Sequence, residues 1–547
     1  MKRSRQHRET ENLSKGDHAG YLVYALLGIV VLAICALRYR LLDFPLERDE
    51  GGFSYMAKLI LQGIPPYTQA YDFKPPGLYL MYAVFLAFFG QTAGGVHTGL
   101  LVMNAGTMIM LFLLARKWLT SVGALIAVAV YGILSLGSSV LGFAAHATHF
   151  VVFWMLLGYL LLTISIENGR KSVLFLSGIA LGLAVLMKQP GLMFLVPPIL
   201  VTILPGSWRR FGFGESLRRE GALIAGAFVP VFLAGTWLAI TGAFRQFVFW
   251  TYQYGTEFGT RMSLPEALTQ FTVSFPQILG NFTLAWVLAG VGLLILFADR
   301  RMKQWRFLLV LFALFSFAAV GLGFEFRSHY FVMLLPAVGI FAGYSVEALV
   351  TRFLKQQSAT LARTIAFIIP AFVLGYGVVA DWNYFFLGDL KALSRQKYFP
   401  NLFADSPAIA DFIRSRTNET DRVAVLGSEP QILFLADRMS ASGYLFMYFF
   451  MEPHENSLQM QKEMIGEVER ASPKMIVYIN QQFSWGTRPK SERHIFTWAS
   501  EYIKNNYQLA GIVDVFSPTQ VKYVWGEDAK TYPRLQSAAA LVFQRPP

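Results

Sequence analysis

The chain has 547 residues, of which 54% are hydrophobic and only 15% are charged. Soluble domains carry about 25% charged residues, so this composition and the mean hydropathy of +0.44 exclude an ordinary soluble protein. The formal net charge of +13 would suit a nucleic-acid-binding protein. In membrane proteins, however, Lys and Arg collect in cytoplasmic loops, and they do so here, so we expect no nucleic-acid partner. The single cysteine, Cys35, excludes an intramolecular disulfide.

Apolar segments fill the first two thirds of the chain. A basic cytoplasmic tail, residues 1–20, precedes a first uncleaved membrane helix over Tyr21–Leu37. Leu78–Phe89 is apolar but short, which predicts an interfacial or re-entrant helix. The other predicted spans are Val96–Ala115, Val122–Leu141, Phe150–Ile166, Ser172–Met187, Leu192–Leu204, Gly221–Thr241, Phe282–Phe297, Phe307–Leu322, Phe331–Leu349 and Ile365–Val379. The sequence therefore predicts a polytopic α-helical membrane domain, residues 21–381, with about 11 transmembrane helices.

The loops between these spans alternate in charge. Lys/Arg clusters occur in every second loop, at 116–121, 167–171, 206–220, 299–306 and 351–364. By the positive-inside rule these loops and the N-terminus are cytoplasmic. The odd number of spans then places the C-terminal segment, residues 382–547, on the outside together with the first loop, 38–77.

The C-terminal segment is far more polar than the rest. Short apolar runs typical of strands, Asp421–Gly427, Lys474–Ile479 and Leu509–Phe516, alternate with helical patterns at Pro430–Arg438, Gln461–Ala471 and His494–Asn506. This alternation predicts an external α/β domain with a partly parallel sheet. It lacks a glycine-rich phosphate loop.

The first external loop carries an unusual density of charge. Arg48, Asp49 and Glu50 open it, and Asp72 and Lys74 close it. Charges beside hydrocarbon are costly and are often functional. The remaining unusual polar residues fall in the other external loops: His146, His149, Lys188, Arg261, Glu325, Arg327, His329 and Tyr330. We therefore expect a site at the outer membrane face.

The two ends of this loop also resemble a known family. Arg48–Tyr55 (RDEGGFSY) and Tyr71–Gly77 (YDFKPPG) resemble the first external loop of GT-C membrane glycosyltransferases, in particular the family 39-like and ArnT-like enzymes of bacteria. Arg327–Pro336 resembles a later external motif of that family, and Glu429–Arg438 resembles a segment of its external domain. The resemblance implies a hexosyl- or pentosyltransferase of envelope biogenesis in the bacterial inner membrane, with its C-terminal domain in the periplasm.

The resemblance also implies roles for individual residues. The donor would be a polyprenyl-phosphate sugar, and the acceptor an envelope lipid, glycan or protein. Asp49, with Glu50 beside it, would take the proton of the acceptor hydroxyl, and a single displacement would invert the anomeric centre. Lys74 would stabilise the departing phosphate. The other donor-binding candidates follow from their location in the external loops rather than from the resemblance alone: Asp72, Lys188, Arg261, Arg327, His329 and Tyr330.

One departure from the family concerns a metal. The ArnT-like branch has a metal-binding glutamate immediately before the lysine, where this chain has Phe73. We therefore assign no metal site, although a divalent cation stays an open alternative. His146 and His149 are three residues apart and would share a helix face, so they are the candidate ligands.

Two other functional classes are open on the sequence. A transporter or flippase of a lipid-linked sugar would need polar residues deep in the spans, and few are present. A scaffold without catalytic activity, recruiting envelope proteins through its external domain, would not need the acid–lysine pair.

Overall fold

A computed structural model describes residues 2–204, 210–259, 262–353, 359–534 and 537–546. Among these residues, six apolar helices are long enough to cross a membrane: Tyr21–Tyr39, Ala93–Ala115, Ala147–Asn168, Phe213–Ile240, Leu264–Ala298 and Thr360–Ala380. Shorter apolar helices cover Pro76–Phe89, Ser121–Leu134, Lys171–Met187, Gln189–Ile203, Arg306–Gly321 and Leu335–Thr351. The chain is thus a multi-pass helical membrane protein. The predicted count of about 11 crossings stays a prediction.

The α-helices of the N-terminal part follow the predicted spans closely. They are Lys2–Tyr39, Arg48–Leu61, Pro76–Phe89, Ala93–Ala115, Ser121–Leu134, Ala147–Asn168, Lys171–Met187, Val196–Ile203, Phe213–Ile240, Phe244–Val248, Gly255–Gly259, Leu264–Leu279, Thr283–Ala298, Arg306–Gly321, Leu335–Ala348 and Ala359–Ala380. The helix from Ser121 ends at Leu134, earlier than the predicted Leu141, because a short 3-10 turn, Ser138–Val140, intervenes before His146.

Small residues let two of these helices pack backbone against backbone. A Cβ added at Gly178 or at Gly226 would clash with a carbonyl oxygen of the other helix, Leu223 and Phe175 respectively. Such small-residue contacts are the usual way in which helices associate in lipid, where apolar burial alone gives little driving force. They fix Lys171–Met187, and hence Lys188 at its end, against Phe213–Ile240.

The first external loop is more ordered than the sequence suggests. It contains a helix, Arg48–Leu61, here called the loop helix, which the sequence analysis did not predict. Gly51 and Gly52 lower the local helix propensity, but a capping box offsets this: the Glu47 side chain accepts from the Glu50 backbone N–H, and the Glu50 side chain accepts from that of Glu47. The predicted short helix after the loop is present as Pro76–Phe89.

The C-terminal domain, which the loop charges predict to be external and which is called the external domain below, is built on a mixed six-stranded sheet. Its strands are β1 (Arg422–Leu426), β2 (Met439–Ser440), β3 (Met475–Ile479), β4 (Gln508–Ser517), β5 (Gln520–Trp525) and β6 (Ala540–Gln544), in the order β2-β1-β3-β6-β4-β5. β1 pairs in parallel with β2 and β3, whereas β6 is antiparallel to β3 and β4. The helices of this part are Leu390–Tyr398, Ser406–Arg416, Pro430–Ala436, Tyr448–Met451, Ser457–Ala471, Gln482–Trp485, His494–Asn506 and Glu527–Lys530. The predicted partly parallel α/β domain is confirmed.

The loop helix is the joint between the two parts. It packs on Pro76–Phe89 of the helical part and on Pro430–Ala436 of the C-terminal domain. Buried apolar side chains run without interruption from the membrane helices through the loop helix into the sheet. The charged residues of the loop are therefore held between two packed bodies.

Candidate active site

Two neighbouring carboxylates in the first turn of the loop helix have opposite surroundings. Glu50 is fully buried, and both of its oxygens are occupied. One oxygen accepts from His97 Nε2 at 2.9 Å and from the Ala145 backbone N–H at 2.6 Å. The other accepts from the Glu47 backbone N–H at 3.2 Å. Glu50 thus ties the loop helix to the segment that leads to His146.

Asp49 faces the other way and is partly exposed. None of the described residues donates a hydrogen bond to its carboxylate. Burial raises the pKa of Asp49, but the nearby charges of Lys74, His146 and Arg327 lower it further, and the net pKa is below its ordinary value. At neutral pH this carboxylate is therefore ionised, and its oxygens are available to accept a hydrogen bond or a proton.

The loop's second charged pair interacts with this carboxylate through its charge and is held by several contacts. Asp72 is fully buried and accepts hydrogen bonds from the Phe73 N–H at 2.7 Å and from the Tyr79 hydroxyl at 3.0 Å. Lys74 Nζ lies 3.7 Å from Asp72 and 4.0 Å from the Phe73 ring centroid. Burial lowers the pKa of Lys74, yet Asp72 and Asp49 raise it more, so its pKa lies above the ordinary value and the ammonium stays charged.

A second buried lysine lies near the first. Lys188 follows directly on the helix Lys171–Met187, and its Nζ stands 3.5 Å from the centroid of the Tyr330 ring. In this buried setting, desolvation and the nearby charge of Lys74 lower the pKa of Lys188 well below its ordinary value. Lys188 contributes to the electrostatic field at Asp49 and so does Arg327, whose side chain is half exposed and bonds Glu325 at 2.8 Å. The site thus gathers three basic side chains, Lys74, Lys188 and Arg327, around one open carboxylate.

A third set of residues could hold a metal ion. Ligand atoms of Asp49, His146 and His329 lie within 4.8 Å of one another. The two imidazole rings are stacked with their centroids 3.9 Å apart, and the buried Nε2 of His146 has no partner among the described residues. Burial lowers the pKa of His146 to about 4, so the ring is neutral and one of its two nitrogens has a lone pair available for a metal ion. One carboxylate and two neutral imidazoles are a donor set suited to a transition-metal ion such as zinc.

The predicted site residues are brought together in large part. Asp49, Asp72, Lys74, Lys188, Arg327, His329 and Tyr330 all occupy the same region, as their mutual electrostatic interactions show. His149 is buried on the helix after His146 but is not part of the Asp49–His146–His329 group. Arg261 lies outside the described residues.

Two residues that matter here were not singled out in the sequence. His97 binds Glu50, and Glu47 caps the loop helix with its Oε1 3.9 Å from His146 Nδ1. The sequence did carry a signal for His97. Residues 75–115 contain no Asp, Glu, Lys or Arg, and His97 is the single histidine among them. Glu47 carried no distinguishing signal beyond its place before the Arg-Asp-Glu run.

Part of the chain matches a known protein family. Residues 73–237 match the family model of the dolichyl-phosphate-mannose-protein mannosyltransferases. That segment includes Lys74, His146 and Lys188 and begins after Asp49. Among curated proteins, none matches this chain.

Solved structures match over nearly the whole chain. ArnT from Cupriavidus metallidurans, solved bound to undecaprenyl phosphate, matches with a TM-score of 0.58 at 15% identity, covering 96% of this chain and 98% of that one. Its apo form matches with a TM-score of 0.54. The oligosaccharyltransferase of Archaeoglobus fulgidus, tethered with an acceptor peptide, matches with a TM-score of 0.50 at 14% identity, over 93% of this chain and 74% of that one. The chain therefore has the GT-C fold of membrane glycosyltransferases, with the architecture of ArnT.

Proposed function

We propose that this protein transfers one sugar from a polyprenyl-phosphate carrier to an envelope acceptor. The observation that carries the proposal is the open, ionised carboxylate of Asp49 set near the buried, charged ammonium of Lys74. A carboxylate without hydrogen-bond partners can accept a proton, and buried cations can bind a phosphate. GT-C relatives with this fold and the mannosyltransferase family match of residues 73–237 support the same reaction class.

The proposed reaction is a single displacement. The acceptor hydroxyl oxygen attacks the anomeric carbon of the donor while its proton passes to Asp49. The bond between that carbon and the phosphate oxygen breaks, and polyprenyl phosphate leaves with the electron pair. Proton transfer to a positioned carboxylate contributes about 10²- to 10⁴-fold to such reactions. One displacement inverts the anomeric configuration.

Lys74 supplies the complementary charge. Its ammonium is held by Asp72 below and by the Phe73 ring beside it, so it does not reorganise when a phosphate arrives. Fixed charge in a site that excludes water stabilises a leaving group more strongly than charge in bulk solvent. Lys188, fixed against Tyr330, is placed to bind the same phosphate group.

Asp49, His146 and His329 fit a divalent cation, which would add positive charge beside the leaving phosphate. The glutamate ligand of the ArnT-like branch is absent at Phe73, and the two histidines take its place in the donor set. In this arrangement Glu50 holds the loop helix in place and does not take part in the reaction, since both of its carboxylate oxygens already accept hydrogen bonds.

The cellular setting extends the topology predicted from the loop charges. We place the protein in the bacterial inner membrane with its external domain in the periplasm, where undecaprenyl phosphate of the kind bound by ArnT would carry the sugar. The acceptor class is an envelope lipid, glycan or protein. None of the comparisons favours a transporter.

The direct test uses the full-length protein in lipid nanodiscs. Synthetic undecaprenyl-phosphate hexoses and pentoses are supplied together with envelope lipid, glycan and protein fractions. We expect free undecaprenyl phosphate and a glycosylated acceptor, both detected by mass spectrometry, with NMR of the product reporting inversion. Donor that crosses the bilayer of proteoliposomes intact, with no cleavage under any acceptor, would instead identify a transporter.

A further inference from the structure

The external domain covers one face of the loop helix at backbone distance. A Cβ added at Gly51 would lie 2.5 Å from the Gln431 backbone nitrogen, and one at Gly52 would overlap the Phe446 ring. The Gly-Gly pair that follows Asp49 and Glu50 is therefore needed for this approach. The external domain is seated directly on the turn that carries the proposed catalytic carboxylate.

Arg48, the residue before Asp49, is bound entirely by the external domain. Its Nε donates to the Ser428 carbonyl at 2.6 Å, and its Nη2 donates to Asn401 at 3.0 Å and to Glu429 at 3.2 Å. The pair is nearly buried, with Glu429 only 1% exposed and Arg48 17%. A charged pair removed from water and held by several hydrogen bonds has a well-defined geometry.

The place of this contact in the external domain is informative. Ser428 and Glu429 follow the carboxyl end of β1, next to the parallel strands β2 and β3. In open α/β sheets this edge is where ligands bind. Here the chain's own Arg48 occupies it, and Ser428 is fixed in turn by Ser484 and Met447. A crevice typical of ligand binding is used to hold the loop helix.

Other contacts hold the rest of the loop helix. The Tyr55 hydroxyl accepts from the Ser440 N–H at 2.7 Å, and Lys58 forms an ion pair with Asp437 at the far end. These contacts lie one to three turns away from Asp49. Loss of the Arg48–Glu429 contact would therefore loosen the side of the first turn that faces the external domain, while Glu50 and the later contacts keep the helix attached.

We propose that Glu429 is a positioning residue for the reaction: through Arg48 it fixes the first turn of the loop helix and hence the direction of the Asp49 carboxylate. The external domain is thus a working part of the active site. This inference rests on the proposed function for its kinetic consequence, but not for its structural one.

The test compares Glu429→Gln with Asp437→Asn in the full-length protein. Asp437→Asn is the control, because it removes a second ion pair that the described residues show between the domain and the loop helix, and asparagine tolerates the left-handed backbone at this position. For Glu429→Gln we expect kcat to fall about 10- to 100-fold with the donor KM unchanged, and faster amide hydrogen exchange in the peptide that covers residues 47–53. For Asp437→Asn we expect kcat and exchange in that peptide to match the wild type.

A double variant separates positioning from mere stability. Replacing both charges, Arg48→Met with Glu429→Met, removes the unpaired buried charge and should restore the Tm lost in Glu429→Gln. If Glu429 positions Asp49, kcat stays low in the double variant although the Tm recovers. Recovery of kcat together with Tm would overturn the proposal, and so would unchanged kcat and unchanged exchange in Glu429→Gln.

The exchange experiment distinguishes this inference from the proposed function. If the wild type transfers no sugar but Glu429→Gln still shows faster exchange at residues 47–53, the structural coupling is retained and the proposed reaction is rejected. Sugar transfer by the wild type with no effect of Glu429→Gln on kcat or exchange would retain the reaction and reject the coupling.

Discussion

Charged residues at the two ends of the membrane helices differ in their burial and in their ion pairing. The helix Ala147–Asn168 has 22 residues, which corresponds to a length of about 33 Å. At its N-terminal end lies the outer cluster, defined as Asp49, Lys74, His146, Lys188 and His329. At its C-terminal end lies the opposite rim, defined as Lys117, Glu167, Lys171, Glu215 and Arg301. At the opposite rim, Lys117 pairs with Glu167 at 2.6 Å and Lys171 with Glu215 at 3.1 Å, all of them substantially exposed. These charges are matched and solvated.

In the outer cluster the charges are buried and unevenly matched. Lys74 and Lys188 are 7% and 5% exposed, and the Asp49 carboxylate has no hydrogen-bond partner among the described residues. Burying charge without full compensation is costly, so a chain keeps such an arrangement where a substrate completes it. The comparison indicates that ion pairing, rather than the density of charged residues, distinguishes the charged residues of the proposed site from those that set the membrane orientation.

The first prediction that sharpens this comparison concerns the substitution Lys74→Met. We expect kcat to fall about 10²- to 10³-fold, because a fixed charge on the leaving phosphate is lost. The same substitution at the opposite rim, Lys171→Met, should leave kcat unchanged. Steady-state kinetics of sugar transfer measure both, and equal losses at the two lysines would remove the distinction between the regions.

A second prediction concerns the cation. Equilibrium dialysis of the purified protein with Zn²⁺ should give one site whose affinity falls at least about 10-fold in His329→Leu. His149→Leu is the control, since His149 is equally buried and lies outside the cluster. An affinity that depends on His149 and not on His329 would return the site to the pair proposed from sequence spacing.

The sequence was sufficient for much of this fold, and the reasons are local. Apolar length located the membrane helices, and short apolar runs located β1, β3 and β4. It missed β6, whose register against β3 depends on residues about 65 positions apart. It also missed the loop helix, because Gly51 and Gly52 suggest a loop until the external domain that packs against them is known.

The candidate site shows the same limit. The acidic residues and the lysine of the first loop were found because charged residues next to an apolar segment can be recognised from the sequence alone. The difference between Asp49 and Glu50 was not visible, since it depends on His97 and Ala145, which come from other segments. For the same reason the histidine pair proposed from spacing, His146 with His149, is replaced in the metal-suited group by His146 with His329.

A third prediction tests the two carboxylates through stability. Glu50→Gln should lower the free energy of unfolding by about 1–3 kcal/mol, because a buried carboxylate that accepts three hydrogen bonds is lost. Asp49→Asn should leave stability unchanged or slightly raised, as is common where a functional group is poorly compensated. Thermal unfolding followed by circular dichroism measures both, and a larger loss for Asp49→Asn would assign that residue a structural part.

The smallest effect is expected at the opposite rim. Lys117→Ala breaks the exposed pair with Glu167 and should change the free energy of unfolding by less than about 1 kcal/mol. It should also leave sugar transfer at the wild-type rate. A strong loss of activity would show that the opposite rim takes part in function and that pairing is a poor guide.

The most direct measurement of the central claim is made on Asp49→Asn. Donor binding, followed by native mass spectrometry with undecaprenyl-phosphate sugars, should match the wild type, whereas single-turnover transfer should be about 10²- to 10⁴-fold slower. Asp43→Asn, an exposed acid of the same loop, should transfer at the wild-type rate. Transfer by Asp49→Asn at the wild-type rate would contradict the assignment of Asp49 as the group that accepts the proton.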